Sequence, residues 1–311
     1  MQIPVITTMM GISVFPDDDQ LFCGMIGTHG VKMANAAVNE CDVLFLVGAR
    51  VGDRAVKTPL ALEKTTKIIH IDIDPAEIGK NIGADLPLVG DAKLVLQQMT
   101  ELAKPMKHDE WIAHIKTLGG ERKYVEPAKG TVNPRVFIDR LAKKMPANVT
   151  VVADVGQNQI WTCTEYKFRK EGRLLTSGGM GTMGYSVPAA IGAKMADNSR
   201  ATVAICGDGA FQMSFMELAT AVQFGVDIKV VVMTNNRLGM VRELQTNGYH
   251  DRQTAVFLDG SPDFIKLAEA YGIPAMRVYD DATMEKGVEM LAEHKGICLV
   301  EVVVDKDMPT L

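Results

Sequence analysis

The sequence predicts an α/β protein built from two doubly wound parallel-sheet domains in tandem. Short β-branched runs alternate with amphipathic segments, which is the pattern of parallel strands joined by crossover helices. This alternation occurs as two series, and a charged stretch with several glycines and prolines separates them. A length of 311 residues suits about two domains of ordinary size.

Each predicted strand is a short apolar run bounded by polar or glycine-containing segments. The strands of the first series are 43–48 and 67–73, and those of the second series are 149–155, 201–206, 228–234 and 298–304. Helix-like stretches lie between them. We therefore predict a first domain over 1–105, a linker region over 106–130, whose sequence indicates part helix and part linker, and a second domain over 131–311.

Composition excludes several classes of function. The net charge is −5 and the lysines are scattered, so the basic surface that nucleic acid binding needs is absent. No apolar run approaches the ~20 residues of a membrane-spanning helix, and the N-terminal residues resemble no signal peptide, so we expect a cytoplasmic location. The five cysteines have no spacing suited to zinc or to a disulfide framework and are expected to be buried, reduced thiols.

A glycine-flanked aspartate follows the most apolar strand of the second series. Gly207, Asp208 and Gly209 come directly after strand 201–206. The two glycines allow a sharp turn and a close approach to a phosphate, and the carboxylate is a hard oxygen ligand. Segment 211–224 has helical spacing of apolar residues, so its N-terminus is expected to point at the same place. Alone, this tripeptide is an ordinary turn.

A pair of asparagines follows the next strand. Twenty-five residues separate Gly209 from Asn235, and they include one predicted helix and one predicted strand. If the two strands are neighbours, their carboxyl ends bring the asparagines beside Asp208. A carboxylate, an amide oxygen, water and phosphate oxygens form a set that Mg²⁺ prefers, so a magnesium and diphosphate site is predicted here.

At this point the chain resembles the thiamine diphosphate enzymes of the pyruvate oxidase and acetohydroxyacid synthase superfamily. Further motifs narrow the resemblance to the acetohydroxyacid synthase (acetolactate synthase) large catalytic subunit. In the second half these motifs are 154–159, 177–184, 188–193 and 238–242, and in the first half they are 27–30, 48–50 and 70–74. The resemblance covers the central flavin-binding and C-terminal diphosphate-binding domains of that family.

The resemblance implies roles for individual residues of the second domain. Asp208, Asn235 and the Arg237 backbone carbonyl would bind magnesium, and Asn236 is the alternative, because counting from the superfamily signature favours it. Met183 would hold the cofactor bent. The implied contacts of thiamine diphosphate are Gly156, Gln157, Asn158, Gly181, Met183, Asp208, Gly209, Ala210, Leu238, Gly239 and Met240.

The first domain carries a weaker signal for a dinucleotide. A glycine follows one strand and two aspartates end the next, but no full Gly-x-Gly-x-x-Gly occurs, and an arginine at a strand end is more often a surface charge. The resemblance implies flavin adenine dinucleotide here. The implied contacts are Thr28, His29, Gly48, Ala49, Arg50, Arg54, Asp72, Ile73 and Asp91.

The resemblance also implies an incomplete active site. The family's N-terminal domain, which carries the activating glutamate, has no counterpart here, so no catalytic residue can be named and we expect the chain alone to be inactive. The intact relative would condense two pyruvates, or pyruvate and 2-oxobutanoate, with loss of CO₂ in branched-chain amino acid biosynthesis. It would act on small 2-oxo acids as a homodimer or larger assembly, with a regulatory subunit as a further partner. Leu244 replaces a tryptophan of plant and fungal relatives and leaves the preference for the second oxo acid open.

The sequence is also consistent with two other hypotheses about function. The chain could belong to another thiamine diphosphate enzyme, such as catabolic acetolactate synthase, pyruvate oxidase or glyoxylate carboligase; bound flavin would separate a flavin-containing synthase from the flavin-free catabolic type. It could instead be a non-catalytic partner of a split enzyme, which co-purification with a polypeptide carrying the missing domain would reveal.

Overall fold

A computed structural model describes residues 1–120 and 124–311 of the chain. Within these residues the chain forms two compact units, one comprising 1–11 and 19–120 and the other comprising 12–18 and 124–311. Every strand pair in both units is parallel, and helices separate most consecutive strands. The predicted α/β class with parallel sheets is therefore confirmed.

The first unit contains a two-stranded and a three-stranded sheet. Its strands are β1 (Val5–Thr7), β2 (Phe22–Met25), β3 (Val43–Val47), β4 (Lys67–Asp72) and β5 (Leu86–Val89). Its helices are α1 (Lys32–Glu40), α2 (Pro59–Leu62), α3 (Ala92–Leu102) and α4 (Asp109–Leu118), with a 3-10 turn at Met9–Gly11. β1 pairs with β2, and β3, β4 and β5 lie in that order. The carboxyl ends of β3, β4 and β5 therefore share one edge.

The second unit is a six-stranded parallel sheet covered by helices. Its strands are β6 (Thr150–Ala153), β7 (Arg173–Thr176), β8 (Thr202–Gly207), β9 (Lys229–Thr234), β10 (Ala275–Val278) and β11 (Cys298–Val303). Its helices are α5 (Pro134–Lys144), α6 (Gln157–Glu165), α7 (Ser186–Ala196), α8 (Asp208–Gln212), α9 (Leu218–Gln223), α10 (Gly239–Gly248), α11 (Phe264–Ala270) and α12 (Asp281–Glu293), with a 3-10 turn at Phe215–Glu217.

Strand order places a topological switch in the middle of this second sheet. The order is β10-β11-β9-β8-β6-β7, so the chain leaves β6 toward one edge and returns to form β8 on the other side of β6. Helices that follow strands on the two sides of such a point leave a crevice at the carboxyl ends of the strands. The predicted position of 201–206 as a buried central strand is confirmed, because β8 lies between β6 and β9 and Val203 to Cys206 are fully buried.

The single helix predicted over 211–224 is wrong. The structure begins a short helix α8 at Asp208, ends it at Gln212, and resumes as a 3-10 turn and α9. The N–H groups of Met213 and Ser214 donate to carbonyls three residues back, which tightens the backbone and ends the α-helix. The apolar spacing is nevertheless used, because Phe211 and Leu218 are both buried in one core.

The segment predicted as a linker is partly helical. Helix α4 lies within 106–130, and its Ile115 and Trp111 pack with Ala37 of α1 in the first unit. Positions 121–123 of the predicted linker lie outside the described residues. The cysteines are free thiols, of which Cys41 is half-buried rather than buried. No helix in the described ranges is long and apolar enough to cross a membrane.

A half-buried aspartate, Asp17, fastens the short segment 12–18 to the rest of the second unit. Asp17 N–H donates to the Phe168 carbonyl (2.8 Å), and Phe168 N–H donates to Asp17 Oδ2 (3.0 Å). Asp17 Oδ1 is buried without a hydrogen-bond partner. Burial, only partly offset by the Phe168 hydrogen bond and the nearby Lys167 charge, raises the pKa of Asp17 to about 6.

The Asp17 carboxyl is expected to make the second unit less stable as pH rises. Its pKa is higher in the folded than in the unfolded chain, so its contribution is full below pH ~4 and is lost as pH passes 6. From pH 5 to 7.5, the free energy of unfolding should fall by about 1 kcal/mol more in the native chain than in Asp17→Asn, discounted because the group is partly solvated. Urea unfolding followed by Trp161 fluorescence, with Trp111 replaced by Phe in both proteins, measures this. Equal pH dependence in the two proteins would contradict it.

Candidate functional site

The predicted diphosphate residues meet at the switch point of the second sheet. Residues after β6, β8 and β9 line one cavity of ≈ 110 Å³. The lining residues are Val155, Gly156, Gln157, Asn158, Trp161, Met183, Gly207, Asp208, Gly209, Ala210, Met233, Asn235, Arg237, Leu238, Gly239, Met240, Val241 and Val304. Of the positions implied for thiamine diphosphate, only Gly181 is not among them.

Asp208 is the buried anion of this cavity. It is 2% exposed, and its carboxylate accepts N–H groups from Gly209 (2.8 Å), Asn235 (3.2 Å) and Asn236 (2.7 Å). In the part of the chain that the structure describes, no lysine, arginine or histidine forms an ion pair with it. Burial raises the pKa of Asp208 to about 6, although the backbone hydrogen bonds oppose the rise. A cation at this carboxylate would compensate the buried charge.

The two asparagines occupy different environments. Asn235 lines the cavity, where its Nδ2 donates to Gln157 Oε1 (3.2 Å) and its Oδ1 accepts the Arg237 N–H (3.0 Å). Asn236 is exposed, is not among the lining residues, and has a left-handed backbone with φ of 54°. An asparagine tolerates this conformation better than most residues. The backbone turn at Asn236 thus leaves Asn235 and Arg237 facing the cavity.

An isolated antiparallel β-bridge between Arg237 and Phe257 fixes the loop that follows β9. The Leu238 N–H donates to the Val256 carbonyl (2.9 Å), and the Leu258 N–H donates to the Asn236 carbonyl (3.0 Å). The Arg237 guanidinium lies 4.6 Å from the centre of the Phe257 ring and contacts Asp259 (3.0 Å). The side chain of Arg237 is therefore held by Phe257 and Asp259, and Arg237 is among the residues that line the cavity.

The turn after β6 provides the opposite wall. Gly156 has a φ of 149°, and a Cβ added there would lie 2.6 Å from Asn158 Oδ1. Asn158 Nδ2 donates to the carbonyls of Asp154 (2.8 Å) and Ile205 (3.1 Å), which joins the ends of β6 and β8 across the switch point. This arrangement needs glycine at 156 and leaves backbone exposed to a ligand.

Sequence reasoning missed the contribution of the C-terminal residues. Gln157 Nε2 donates to the Met308 carbonyl (2.9 Å) and to Thr310 Oγ1 (3.1 Å), and Trp161 Nε1 donates to the Pro309 carbonyl (3.2 Å). Glu243 of α10 accepts the Thr310 N–H (3.2 Å). Trp161 could have been found, because it follows Gln157 by one helical turn; residues 308–310 carry no local signal that places them here.

Most of the positions implied for the flavin end or follow strands of the three-stranded sheet, whereas Thr28 and His29 follow β2 of the two-stranded sheet. Gly48, Ala49 and Arg50 follow β3, Asp72 ends β4, and Ile73 comes next, and β3 and β4 are paired neighbours. Asp91 follows β5, the next strand of this sheet. Thr28 and His29 lie in a turn that contacts Arg54.

Asp91 comes two residues after β5, and caps α3 by accepting the Leu94 N–H (3.0 Å). The Thr28 N–H donates to the Arg54 carbonyl (2.9 Å), and a Cβ added at Gly27 would lie 2.3 Å from that carbonyl oxygen, so the turn carrying His29 packs against Arg54. Val51, beside these residues, has a φ of 49°, which is strained for a β-branched residue.

Comparison with known proteins identifies both units. Residues 154–302 match the family model described as "Thiamine pyrophosphate enzyme, C-terminal TPP binding domain", and residues 1–99 match "Thiamine pyrophosphate enzyme, central domain". The chain belongs to the thiamine pyrophosphate enzyme family. Thiamine pyrophosphate is the compound called thiamine diphosphate above, so the predicted family is confirmed.

Proteins of this family that resemble the chain include acetolactate synthases. The chain is 41% identical to the probable acetolactate synthase large subunit of Methanocaldococcus jannaschii over 98% of its own length and 53% of that protein. It is 36% identical to the acetolactate synthase large subunit of Lactococcus lactis, covering 98% of this chain and 53% of that protein. It is 35% identical to the isozyme 3 large subunit of Escherichia coli, covering 98% of this chain and 55% of that protein. The chain thus spans about half the length of these relatives.

Proposed function

We propose that this chain is the part of an acetolactate synthase that holds the diphosphate end of thiamine diphosphate through a magnesium ion. The observation that carries the proposal is the meeting of Asp208, Asn235 and Met183 in one cavity at the switch point of the sheet. The cavity of ≈ 110 Å³ is smaller than the ~300–1,000 Å³ typical of a complete small-molecule site, which supports a role in which this chain encloses only part of the cofactor.

The donor set at the cavity suits magnesium. Among the described residues no cation pairs with the Asp208 carboxylate, Asn235 Oδ1 accepts one hydrogen bond and keeps a second lone pair, and Arg237 also lines the cavity. In the described residues, no cluster of three His, Cys, Asp or Glu side chains could hold a metal. The remaining ligands would therefore come from phosphate oxygens and water, as Mg²⁺ commonly requires.

The other lining residues would position the cofactor. Gly156 leaves backbone accessible to phosphate oxygens, and Gln157 and Asn158 line the cavity beside it, with their side-chain N–H groups bonded to protein acceptors. Met183 and Met240 provide apolar walls, which exclude water and hold the ring system in place. When bound, thiamine diphosphate supplies the carbanion chemistry itself. The chain's share is to bind, orient and shield it.

The activity we propose for the whole protein is condensation of two 2-oxo acids with loss of CO₂. The substrates would be two pyruvates, or pyruvate and 2-oxobutanoate, and the product would enter branched-chain amino acid synthesis. The support is similarity to proteins named acetolactate synthase large subunits, and their name also supports assembly with a smaller subunit. The carboxylate that activates the cofactor would lie outside this chain, so we expect no acetolactate from the isolated chain.

Flavin adenine dinucleotide is proposed as the ligand of the first unit. Gly48, Ala49, Arg50, Asp72, Ile73 and Asp91 lie at the carboxyl ends of paired strands of one sheet, where a dinucleotide binds in doubly wound folds. The arginines Arg50 and Arg54 are exposed there and are available to phosphates. The absorbance spectrum of the purified chain after incubation with flavin and desalting tests this part of the proposal.

Titration calorimetry with thiamine diphosphate and MgCl₂ tests the main proposal and the choice of asparagine. The native chain should bind only when Mg²⁺ is present. Asn235→Ala should weaken binding roughly 10- to 100-fold, because it removes a ligand to a charged group. Asn236→Gly should stay within about twofold, because glycine keeps the left-handed backbone.

Two results would contradict these expectations. Absence of Mg²⁺-dependent binding by the native chain would overturn the proposed cofactor role. A larger loss with Asn236→Gly than with Asn235→Ala would assign the metal to Asn236 instead.

A further inference from the structure

A second buried carboxylate lies behind the cavity rather than in it. Asp154, the residue directly after β6, is 0% exposed and is not among the lining residues. Its Oδ1 accepts the N–H groups of Val155 (2.9 Å) and Gly184 (3.0 Å), and its Oδ2 accepts that of Ser186 (2.8 Å). Both carboxylate oxygens are therefore used to hold backbone.

The groups that Asp154 holds belong to the segment that carries Met183. Gly184 follows Met183 directly and has a φ of 84°, and Ser186 is the first residue of α7. Tyr185, which precedes α7, provides no side-chain cap. The carboxylate of Asp154, which directly follows β6, caps the helix instead by accepting the Ser186 N–H. On the other side of Met183, Thr182 N–H donates to Ser177 Oγ (3.2 Å). Met183 is thus fixed between two anchored residues.

Met183 in turn packs over the turn that carries Asp208. A Cβ added at Gly209 would lie 3.2 Å from Met183 Cε, so the methyl group rests directly on that glycine. A rigid link therefore runs from Asp154, through the backbone of Gly184, to the apolar wall of the cavity. A small shift in this wall would change the space available to a bound ring system.

We propose that Asp154 is a positioning residue, which sets the place of Met183 in the cofactor cavity without touching the cofactor. This role needs a carboxylate, because both oxygens of Asp154 accept backbone N–H groups. An asparagine would place its side-chain NH₂, a donor, against one of these N–H donors. The effect on cofactor binding rests on the proposed function. The positioning of Met183 rests only on the contacts within the chain.

The test compares Asp154→Asn with Glu165→Gln. Glu165 is a matched control, because it is 3% exposed and is also replaced by its amide, but it pairs with Arg135 rather than with the Met183 segment. With methionine methyl groups labelled with ¹³C, and Met183 assigned from Met183→Leu, we expect the Met183 resonance to shift in Asp154→Asn and to stay unchanged in Glu165→Gln. Thiamine diphosphate with Mg²⁺ should bind roughly 10- to 100-fold more weakly to Asp154→Asn, as commonly follows loss of a group that orients a ligand residue.

A double-mutant cycle separates positioning from general destabilisation. If Asp154 acts through Met183, the losses of affinity in Asp154→Asn and Met183→Leu should be clearly less than multiplicative when combined. Multiplicative losses, or an unchanged Met183 resonance, would overturn the proposal. If the native chain does not bind thiamine diphosphate, the proposed function fails, and the methyl resonance still decides the positioning role. If Asp154→Asn does not fold, Asp154→Glu replaces it, and failure of both to fold would make Asp154 a general stability residue and overturn the proposal.

Discussion

Asp208→Asn is expected to abolish Mg²⁺-dependent binding of thiamine diphosphate by this chain. The substitution removes a buried carboxylate that lines the cavity, and with it the charge that would balance the metal. It also places an amide N–H₂ against N–H groups of Gly209, Asn235 or Asn236 that now donate to the carboxylate. We expect a loss of at least about 100-fold in affinity, because a charged ligand and its hydrogen bonds are lost together.

Calorimetry with thiamine diphosphate at fixed MgCl₂ measures this loss. Asp281→Asn is the control, because Asp281 is an exposed aspartate at the start of α12 whose side chain is 82% accessible. Binding by Asp208→Asn within tenfold of the native chain would show that Asp208 is not a metal ligand.

Gly239→Ala is expected to disrupt the same site from the opposite side. A Cβ at Gly239 would lie 1.9 Å from Gln157 Oε1 and 3.0 Å from Asn235 Nδ2. Gln157 cannot simply turn away, since its Nε2 is bonded to the Met308 carbonyl and to Thr310. We expect binding of thiamine diphosphate with Mg²⁺ to weaken at least tenfold, because a diphosphate contact and the proposed metal ligand are displaced together.

The same helix offers a matched control for that substitution. Gly248 is the last residue of α10, Gly239 is the first, and a Cβ at Gly248 would have no atom within 4 Å. Gly248→Ala should leave the affinity within about twofold and stabilise the chain slightly, because alanine restricts the unfolded backbone. Equal affinities of the two variants would mean that Gln157 is free to move and that the clash at residue 239 does not affect cofactor binding.

Local sequence was enough to predict the four inner strands of the second unit's sheet, but not its two edge strands, β7 and β10. The four strands predicted there agree with β6, β8, β9 and β11 to within two residues at each end, because strands buried on both faces are continuous apolar runs. The break in 211–224 could not be predicted, since the backbone tightening near Ser214 leaves the apolar spacing intact. The spacing of apolar residues indicates which face of a helical segment is buried, but it does not indicate whether the helix is continuous.

The site was predictable where its residues follow strands and unpredictable where they do not. Asp208 and Asn235 follow neighbouring strands, so strand ends alone bring them together. The bond between Gln157 and Thr310 joins residues 153 positions apart, and no local pattern marks it. Spacing also could not choose between Asn235 and Asn236, because the difference lies in one backbone angle, the left-handed φ of Asn236.

The strand order of the second unit has a consequence for how the molecule folds. β7 comes between β6 and β8 in the chain but lies at the edge of the sheet. The central pairing of β6 with β8 can therefore form only after the chain has passed through β7. Pairing over such sequence separations requires closing long loops and makes folding slow. The cavity, which draws on residues from Val155 to Val304, cannot exist in a partly assembled sheet. A ligand held there would bind only the fully formed unit, and would therefore slow its global unfolding without accelerating its folding.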